Sequence, residues 1–441
     1  MGSRTNGDPV IAAKRDFMRS ALAALTSALL LSASALVPQA AAAQGGGPAK
    51  THEISFVALG DTGYIPAYDT PDDDDPRFRT LGEYLGNEAA DWLEHNRDLS
   101  GFRATPWQFE PAIGGFVPAS GMYPVAMAAA EVCKREDCDF GALMGDNIYP
   151  DGATLGADGI SDERRFREML DQPFGTFGEG KAGFTLYAMM GNHDWHISRE
   201  ATEAQLEYLK AHPAFTMPDL FYRAVPQGME GKLEIFVVDT EMLLAGTQVH
   251  KDDLDAEGNE IRNTPLEEWP DYVRASNARE RGMIEWLTAA LQSSTAKWKI
   301  VMGHHALWSS GGSKYEKARA LRKLMLDPIC RYADAYIAGD DHLIEAYTDD
   351  CSTVSGAPAE PVPMFVSGAG SKYRQQHVPF AEKQIAANPQ MTNLFSRGST
   401  WGFLHVGIGA DTLDATLYST PADQSGRPVE EARFTFPHRS K

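Results

Sequence analysis

Five segments of this chain share a pattern with chemical consequences. An apolar run stops at glycine, and a side chain able to bind a metal follows at once. The segments are "GDTG" from Gly60, "GDNIY" from Gly145, "GNHD" from Gly191, "GHH" from Gly303 and "GDDH" from Gly339. Between them they offer Asp61, Asp146, Asn192, His304, Asp340 and His342. One acid after an apolar run is ordinary, and one histidine there is usually structural. Five such ends in a single chain imply that the groups converge on one site. Carboxylates gathered without cations raise one another's pKa values, and divalent or trivalent cations remove that conflict. The glycine before each donor lets the backbone turn sharply and approach closely.

The elements that must carry these groups are legible as well. "ISFVALGD" at Ile54, "FGALMGDN" at Phe140, "FTLYAMMGNHD" at Phe184, "WKIVMGHH" at Trp298, "AYIAGDDH" at Ala335 and "VPMFVSGAG" at Val362 are short, nearly continuous apolar runs, and "LEIFVVDT" at Leu233 is alike but lacks the glycine. Runs of this kind fit strands buried on both faces. Helical patterns start at Pro124, Ala278 and Tyr315 between them. Strands alternating with helices predict an α/β fold with a largely parallel sheet, whose ligands sit beyond the carboxyl ends of the strands. The stretch from Trp401, with a turn at "GAD", predicts an antiparallel hairpin at a sheet edge. In an extended segment, residues two apart point the same way. Asp340 and His342 are therefore expected to face the site while Asp341 points elsewhere.

Residues 65–121 break the alternation. They hold one helical pattern, "GEYLGNEAADWLEHN", and the acid run "TPDDDDP", which lacks calcium-loop spacing and reads as a solvated loop. The region is expected to be an insertion, a cap near the site.

Composition bounds what surrounds the site. The chain has 441 residues, is 43% hydrophobic and carries a formal net charge of −21. Such an acidic balance disfavours nucleic acid and anionic membrane as partners. Lys14, Arg15 and Arg19 precede the apolar stretch Ala21 to Val37 and the small residues "PQAAAAQ". This is the pattern of a secretory signal over residues 1–43, cleaved after Ala43, with a flexible lead-in over 44–52 and a folded domain over 53–441. A periplasmic or secreted protein follows, with no stable membrane insertion after cleavage. In that compartment the four cysteines are expected to pair locally, Cys133 with Cys138 and Cys330 with Cys351.

In their order along the chain, the five glycine motifs resemble the calcineurin-like metallophosphoesterases, and within them the purple acid phosphatases of the tartrate-resistant type. Tyr149, three residues after Asp146, matches that family's tyrosine ligand, and "FTMPDLFYR" and "FVVDT" look like family segments. The resemblance runs from about Glu53 onward, apart from the insertion. It implies a layered α/β/β/α sandwich with a metal site at the carboxyl ends of its strands. It also implies a dinuclear centre, with Asp61, Tyr149, His342 and a bridging Asp146 on the first metal. The second would take Asp146, Asn192, His304 and Asp340. Phenolate and carboxylates suit Fe(III), while amide, imidazole and carboxylate suit a divalent ion such as Fe, Zn or Mn. Two such cations clamp a phosphoryl group and supply a metal-bound hydroxide for in-line attack. By the same resemblance His193 lies beside the substrate, to steady the phosphate or protonate the leaving oxygen, with Asp194 orienting it. His305 is expected to support rather than bind metal, and His196, His377 and His405 carry no assigned role.

Two departures stand out. Asp340 occupies the first histidine position of the family's Gly-His-x-His motif. The family's second substrate-facing histidine falls near Ser313, where only Lys314 offers positive charge. The expected function is an exported phosphatase acting on small phosphate monoesters. The alternatives are a phosphodiesterase or nucleotide pyrophosphatase of the same superfamily and, from another class, a non-catalytic phosphate- or metal-binding protein.

Overall fold

A computed structural model describes residues 52–68, 79–96, 98–111 and 114–440. The expected signal sequence, all but the last residue of the lead-in and the whole acid run lie outside the described residues. In chain order the strands are β1 (Ile54–Leu59), β2 (Trp107–Glu110), β3 (Gly115–Pro118), β4 (Phe140–Leu143), β5 (Leu186–Ala188), β6 (Phe215–Thr216), β7 (Tyr222–Ala224), β8 (Leu233–Val238), β9 (Trp298–Gly303), β10 (Ala335–Ala338), β11 (Ile344–Asp349), β12 (Val362–Ser367), β13 (Met391–Arg397), β14 (Trp401–Ile408), β15 (Thr412–Thr420) and β16 (Val429–Pro437). The longest helices among the described residues are α1 (Leu81–His95), α2 (Met122–Glu136), α3 (Arg199–Ala211), α4 (Met283–Ser293) and α5 (Tyr315–Tyr332).

The strands form two large mixed sheets rather than one largely parallel sheet. The first runs β16-β15-β14-β1-β4-β5-β6 and the second β13-β11-β12-β10-β9-β8-β7. Parallel pairing holds in the middle of each, through β1, β4, β5 and β6 in one and β8, β9, β10 and β12 in the other. The hairpin expected at an edge is β14–β15. It lies inside its sheet, because β14 pairs antiparallel with β1 and β16 closes the edge beyond β15.

The sheets pack face to face. Ser367 on β12 fastens them by donating to the Ala58 carbonyl at 2.8 Å and accepting from the Leu404 amide at 3.1 Å. Helix α2 covers the outer face of the first sheet, and α4 and α5 cover the second. Val125, Ala128, Ala129 and Val132 form the buried stripe of α2, the i, i+3, i+4, i+7 spacing of one helix face. The result is the layered α/β/β/α sandwich. All six residues of β1 and of β8 are buried, which explains their unbroken apolar character.

The helical pattern from Ala278 breaks at Gly282, so a short turn, Ala278–Arg281, precedes α4. In the region before Gly121, α1 forms as expected, opened by a capping box between Thr80 and Glu83. The β2–β3 hairpin there was not legible, because its strands are only four residues long and half exposed. Helix α1 is tied to the loop after β12 through Tyr84 Oη and Tyr373 Oη, 2.7 Å apart, and through Gln375, which donates to the Glu88 carbonyl.

Both expected disulfides form. Cys133–Cys138 closes the end of α2, and Cys330–Cys351 joins α5 to the end of β11 across 21 residues. Replacing Cys330 and Cys351 together with serine is expected to lower stability by about 3 kcal/mol, the loop-entropy value for a closure of this size, measured by urea denaturation.

His405 on β14 proves structural, its Nε2 2.9 Å from Ser55 Oγ on β1. Burial, opposed by Glu136, holds its pKa down at about 4 instead of the usual 6.5. Between those values the unfolded chain binds a proton that the native chain refuses. Stability is therefore expected to fall as pH drops from about 6.5 to about 4, with up to about 3 kcal/mol at stake at this one residue. His405→Gln should flatten that acid limb in denaturant titrations. An unchanged slope would place the acid sensitivity elsewhere.

Candidate metal centre

Strands β1, β4 and β5 of the first sheet and β9 and β10 of the second end at a common seam. Backbone bonds stitch the ends together: Asp61 N donates to Gly145 O at 3.0 Å, Gly60 N to Ser367 O at 2.8 Å and Gly339 N to His304 O at 2.8 Å. Asp340 N donates across the seam to Asp61 Oδ2 at 2.9 Å. The three aspartates directly after these strands all take left-handed backbone conformations, with φ of 59° at Asp61, 49° at Asp146 and 66° at Asp340. Side chains other than glycine adopt that region rarely, and residues held there mark functional sites. Gly191 packs so tightly on Asp146 that an added Cβ would strike its carboxylate, and one at Gly145 would lie 2.6 Å from His304 Nδ1. The extended geometry expected for residues 340–342 is therefore corrected. Asp340 reaches the site by reversing the backbone, because strand β10 has already ended at Ala338.

The predicted donors come together as two groups sharing Asp146. In the first, Tyr149 Oη donates to Asp61 Oδ1 at 2.9 Å and to Asp146 Oδ2 at 2.8 Å, and lies 3.1 Å from His342 Nε2. His342 Nε2 is 3.4 Å from Asp61 Oδ1. In the second, His304 Nε2 lies 3.3 Å from Asp146 Oδ1, 3.3 Å from Asn192 Oδ1 and 3.8 Å from Asp340 Oδ1. His304 Nδ1 donates to the Met144 carbonyl at 2.9 Å, so Nε2 is the ring nitrogen that faces the carboxylates.

His193 borders this centre with its ring 4.4 Å from that of Tyr149 and Nε2 3.9 Å from Asp146 Oδ2. About a quarter of its side chain is open to solvent. Asp194 does not orient it. The Asp194 carboxylate turns inward and takes hydrogen bonds from the Asn147 amide and side chain, the Gly191 amide and the Gln205 side chain on α3. His193 Nδ1 instead meets the Pro150 carbonyl at 2.5 Å. Neighbouring residues in a tight turn face opposite ways, and the buried donors of two strand-end loops claim the acid. Asp341 also faces away from the centre, toward Ser309 and Arg374. His196 pairs with Asp151, and His377 caps a helix by accepting from the Phe380 amide.

Two charged groups at the centre, Glu241 and Lys372, were not read from the sequence. His305 and Glu241 are buried beside Asp340, and Lys372 stands 4.6 Å from the Tyr149 ring centre. Lys314 Nζ donates to Asp340 Oδ1 at 2.8 Å. Glu241 and Lys372 follow strand ends that the apolar runs had already marked, and that was the available signal.

Burial opposes ionisation of these acids, yet His304 and His193 hold Asp146, and Lys314, His305 and His304 hold Asp340, below the usual carboxylate range. Burial drives Asp61 well above the usual carboxylate range, with His304 opposing and Asp146 and Asp340 reinforcing. Burial disfavours the His304 imidazolium, yet Asp146, Asp61 and Asp340 outweigh it and hold its pKa at about 10. Asp340 Oδ2 is buried with no hydrogen-bond partner in the protein. Asp61, Asp146 and His304 place one donor atom each within 4.8 Å of one another. Carboxylate, phenol, imidazole and amide donors with unsatisfied negative charge fit metal cations.

Residues 54–343 match the calcineurin-like phosphoesterases. The chain belongs to that family. It is a hydrolase of phosphoric esters with the metallophosphoesterase fold. Purple acid phosphatase 17 of Arabidopsis thaliana is 26% identical over 296 residues, which cover 67% of this chain and 75% of that protein. Purple acid phosphatase 3 of the same plant is 25% identical over 301 residues, 67% and 69% of the two chains. Among solved structures, that of GAP50, described as the anchor in the inner membrane complex of Plasmodium, shares the fold with a TM-score of 0.50 at 15% identity, covering 89% of this chain and 90% of its own.

In this phosphoesterase Asp194 is a buried carboxylate holding two loops. Asp194→Ala should destabilise the protein by about 3 kcal/mol or more by orphaning those donors, measured by urea denaturation. A loss of activity with unchanged stability would instead restore a direct role.

Proposed function

We propose that this phosphoesterase is an exported phosphatase that holds two metal ions and hydrolyses small phosphate monoesters. The observation that carries the reading is the position of Asp146, whose two oxygens face separate donor groups, Oδ2 toward Tyr149 and Oδ1 toward His304. Asp61, Tyr149, His342 and Asp146 would hold one ion, and Asp146, Asn192, His304 and Asp340 the other. The phenolate-bearing set suits Fe(III) and the other a divalent ion. Two bound cations supply Lewis-acid polarisation of the phosphoryl group and activation of a water. The two Arabidopsis relatives named as purple acid phosphatases support the assignment.

The chain's own groups complete the chemistry. His193, anchored at Nδ1 by Pro150, presents Nε2 on the open side of the centre, where it can steady the phosphate or pass a proton to the leaving oxygen. Lys314, Lys372 and Arg374 bring positive charge near His342. Residues 65–121 act as a cap. Asp91, Glu94 and His95 of α1 line a cavity of about 700 Å³ together with Gly311, Ser313 and Arg374. That cavity favours a second reading, a diester or nucleotide pyrophosphate substrate whose larger leaving group it would accept.

Export fits the two disulfides, which persist in oxidising compartments. Among the described residues no helix is long and apolar enough to cross a membrane.

Turnover of p-nitrophenyl phosphate and bis(p-nitrophenyl) phosphate, with elemental analysis, tests the proposal. We expect two metals per chain, faster turnover of the monoester, and a fall in kcat of roughly 100-fold in His193→Ala. An Fe(III)–phenolate bond would give a visible band that Tyr149→Phe abolishes. Two metals without turnover would overturn the catalytic reading, and a faster diester would select the second.

A further inference from the structure

Beside the two expected donor groups lies a third set of buried atoms that neither uses. His305 Nε2 and Glu241 Oε2, like Asp340 Oδ2, have no hydrogen-bond partner within the protein. All three residues are more than nine-tenths buried. His305 Nε2 is 3.3 Å from Glu241 Oε2 and 3.9 Å from Asp340 Oδ1. His304, His305 and Asp340 place a donor atom each within 4.8 Å of one another.

We propose that His305 is a ligand of the second metal ion, which it binds with His304 and Asp340, with the Glu241 carboxylate beside it. The proposal rests on the two-metal reading above.

The separations from Asp340 are right for one ion. Donors bound at about 2.1 Å lie at most about 4.2 Å apart. Asp340 Oδ1 meets that limit with both imidazoles, at 3.8 Å from His304 Nε2 and 3.9 Å from His305 Nε2. Each ring is held from behind. His304 Nδ1 donates to the Met144 carbonyl, and His305 Nδ1 lies 2.8 Å from Thr240 Oγ1. In the tautomer that carries its proton on Nδ1, His305 presents its Nε2 lone pair to the two carboxylates, where a bound cation would join ring to acid. The Thr240 hydroxyl also accepts from the His305 backbone amide at 3.0 Å, so ring and backbone are fixed by the same residue at the end of β8. Lys314 Nζ donates to the same Asp340 Oδ1 at 2.8 Å and offsets its charge.

Two imidazoles and one carboxylate form a donor set for a borderline divalent ion such as Zn(II) or Fe(II). Without His305 the second ion would have a single nitrogen ligand.

The test uses the full chain loaded with Zn(II). Wild type is expected to bind two ions, and His305→Gln to keep one and bind the other about 100-fold more weakly, read by elemental analysis and zinc titration with folding checked by circular dichroism. Two ions at unchanged affinity in folded His305→Gln would overturn the proposal alone. Fewer than two in wild type would overturn the two-metal reading and the proposal with it. Independently of any variant, NMR of the cadmium-loaded protein with isotope-labelled histidine should show two imidazole nitrogens coupled to one cadmium resonance and one to the other. A single coupling on each would overturn the proposal.

Discussion

Three carboxylates buried at one seam, and the cationic groups that must offset them, set the terms for this structure. Asp61 and Asp146 offer oxygens within 4.8 Å of the same imidazole nitrogen and of each other, and Asp340 joins them from the opposite sheet. At an effective dielectric near 20, two unit charges at such a distance repel by about 3 kcal/mol. The fold holds all three in left-handed backbone conformations, so strain adds to repulsion. Partial compensation comes from within the chain. Tyr149 donates to two of the acids, the field of all three favours the His304 imidazolium, and Lys314 pairs with the third. These contacts occupy the donor atoms that metal cations would take under the proposed function.

The rest of the architecture serves to hold those atoms still. Strands buried on both faces fix where the acids emerge. Small residues let the loops close: Gly191 lies against the Asp146 carboxylate, where no side chain would fit. Asp194 gathers donors from the loops after β4 and β5 and from α3, so that the carriers of Asp146 and Asn192 move as one unit. The Cys330–Cys351 bridge anchors the helix and strand on either side of Asp340 and His342.

What could be read from the sequence was whatever a short segment displays by itself. An apolar run ending in glycine and a donor is local, so Asp61, Asp146, Asn192, His304, Asp340 and His342 were legible as a converging set. Strand order is not local. A run buried on both faces looks alike in a parallel or an antiparallel pair, which concealed the split into two mixed sheets and the central place of β14. The meeting of His305 with Glu241 was missed for the same reason. Their proximity exists only because β8 lies beside β9, a pairing that no motif encodes. The role of Asp194 was misread because adjacency in a turn was taken for contact in space, whereas the inward donors were remote in sequence.

Asp340 is the place where these levels meet. Judged by residue type alone, a carboxylate in place of an imidazole adds one negative charge to the second metal and favours a harder cation. The surroundings remove most of that difference. Lys314 lies 2.8 Å from the same oxygen, so carboxylate and ammonium together carry the net charge of a neutral imidazole. A nitrogen donor then stands within reach at His305, which neighbours both Asp340 and Glu241. Charge at this position is thus balanced by a residue from the start of α5, and donor softness by one from the end of β9. The departure from the family pattern at Asp340 is met within the chain by two neighbours, Lys314 at 2.8 Å and His305 at 3.9 Å.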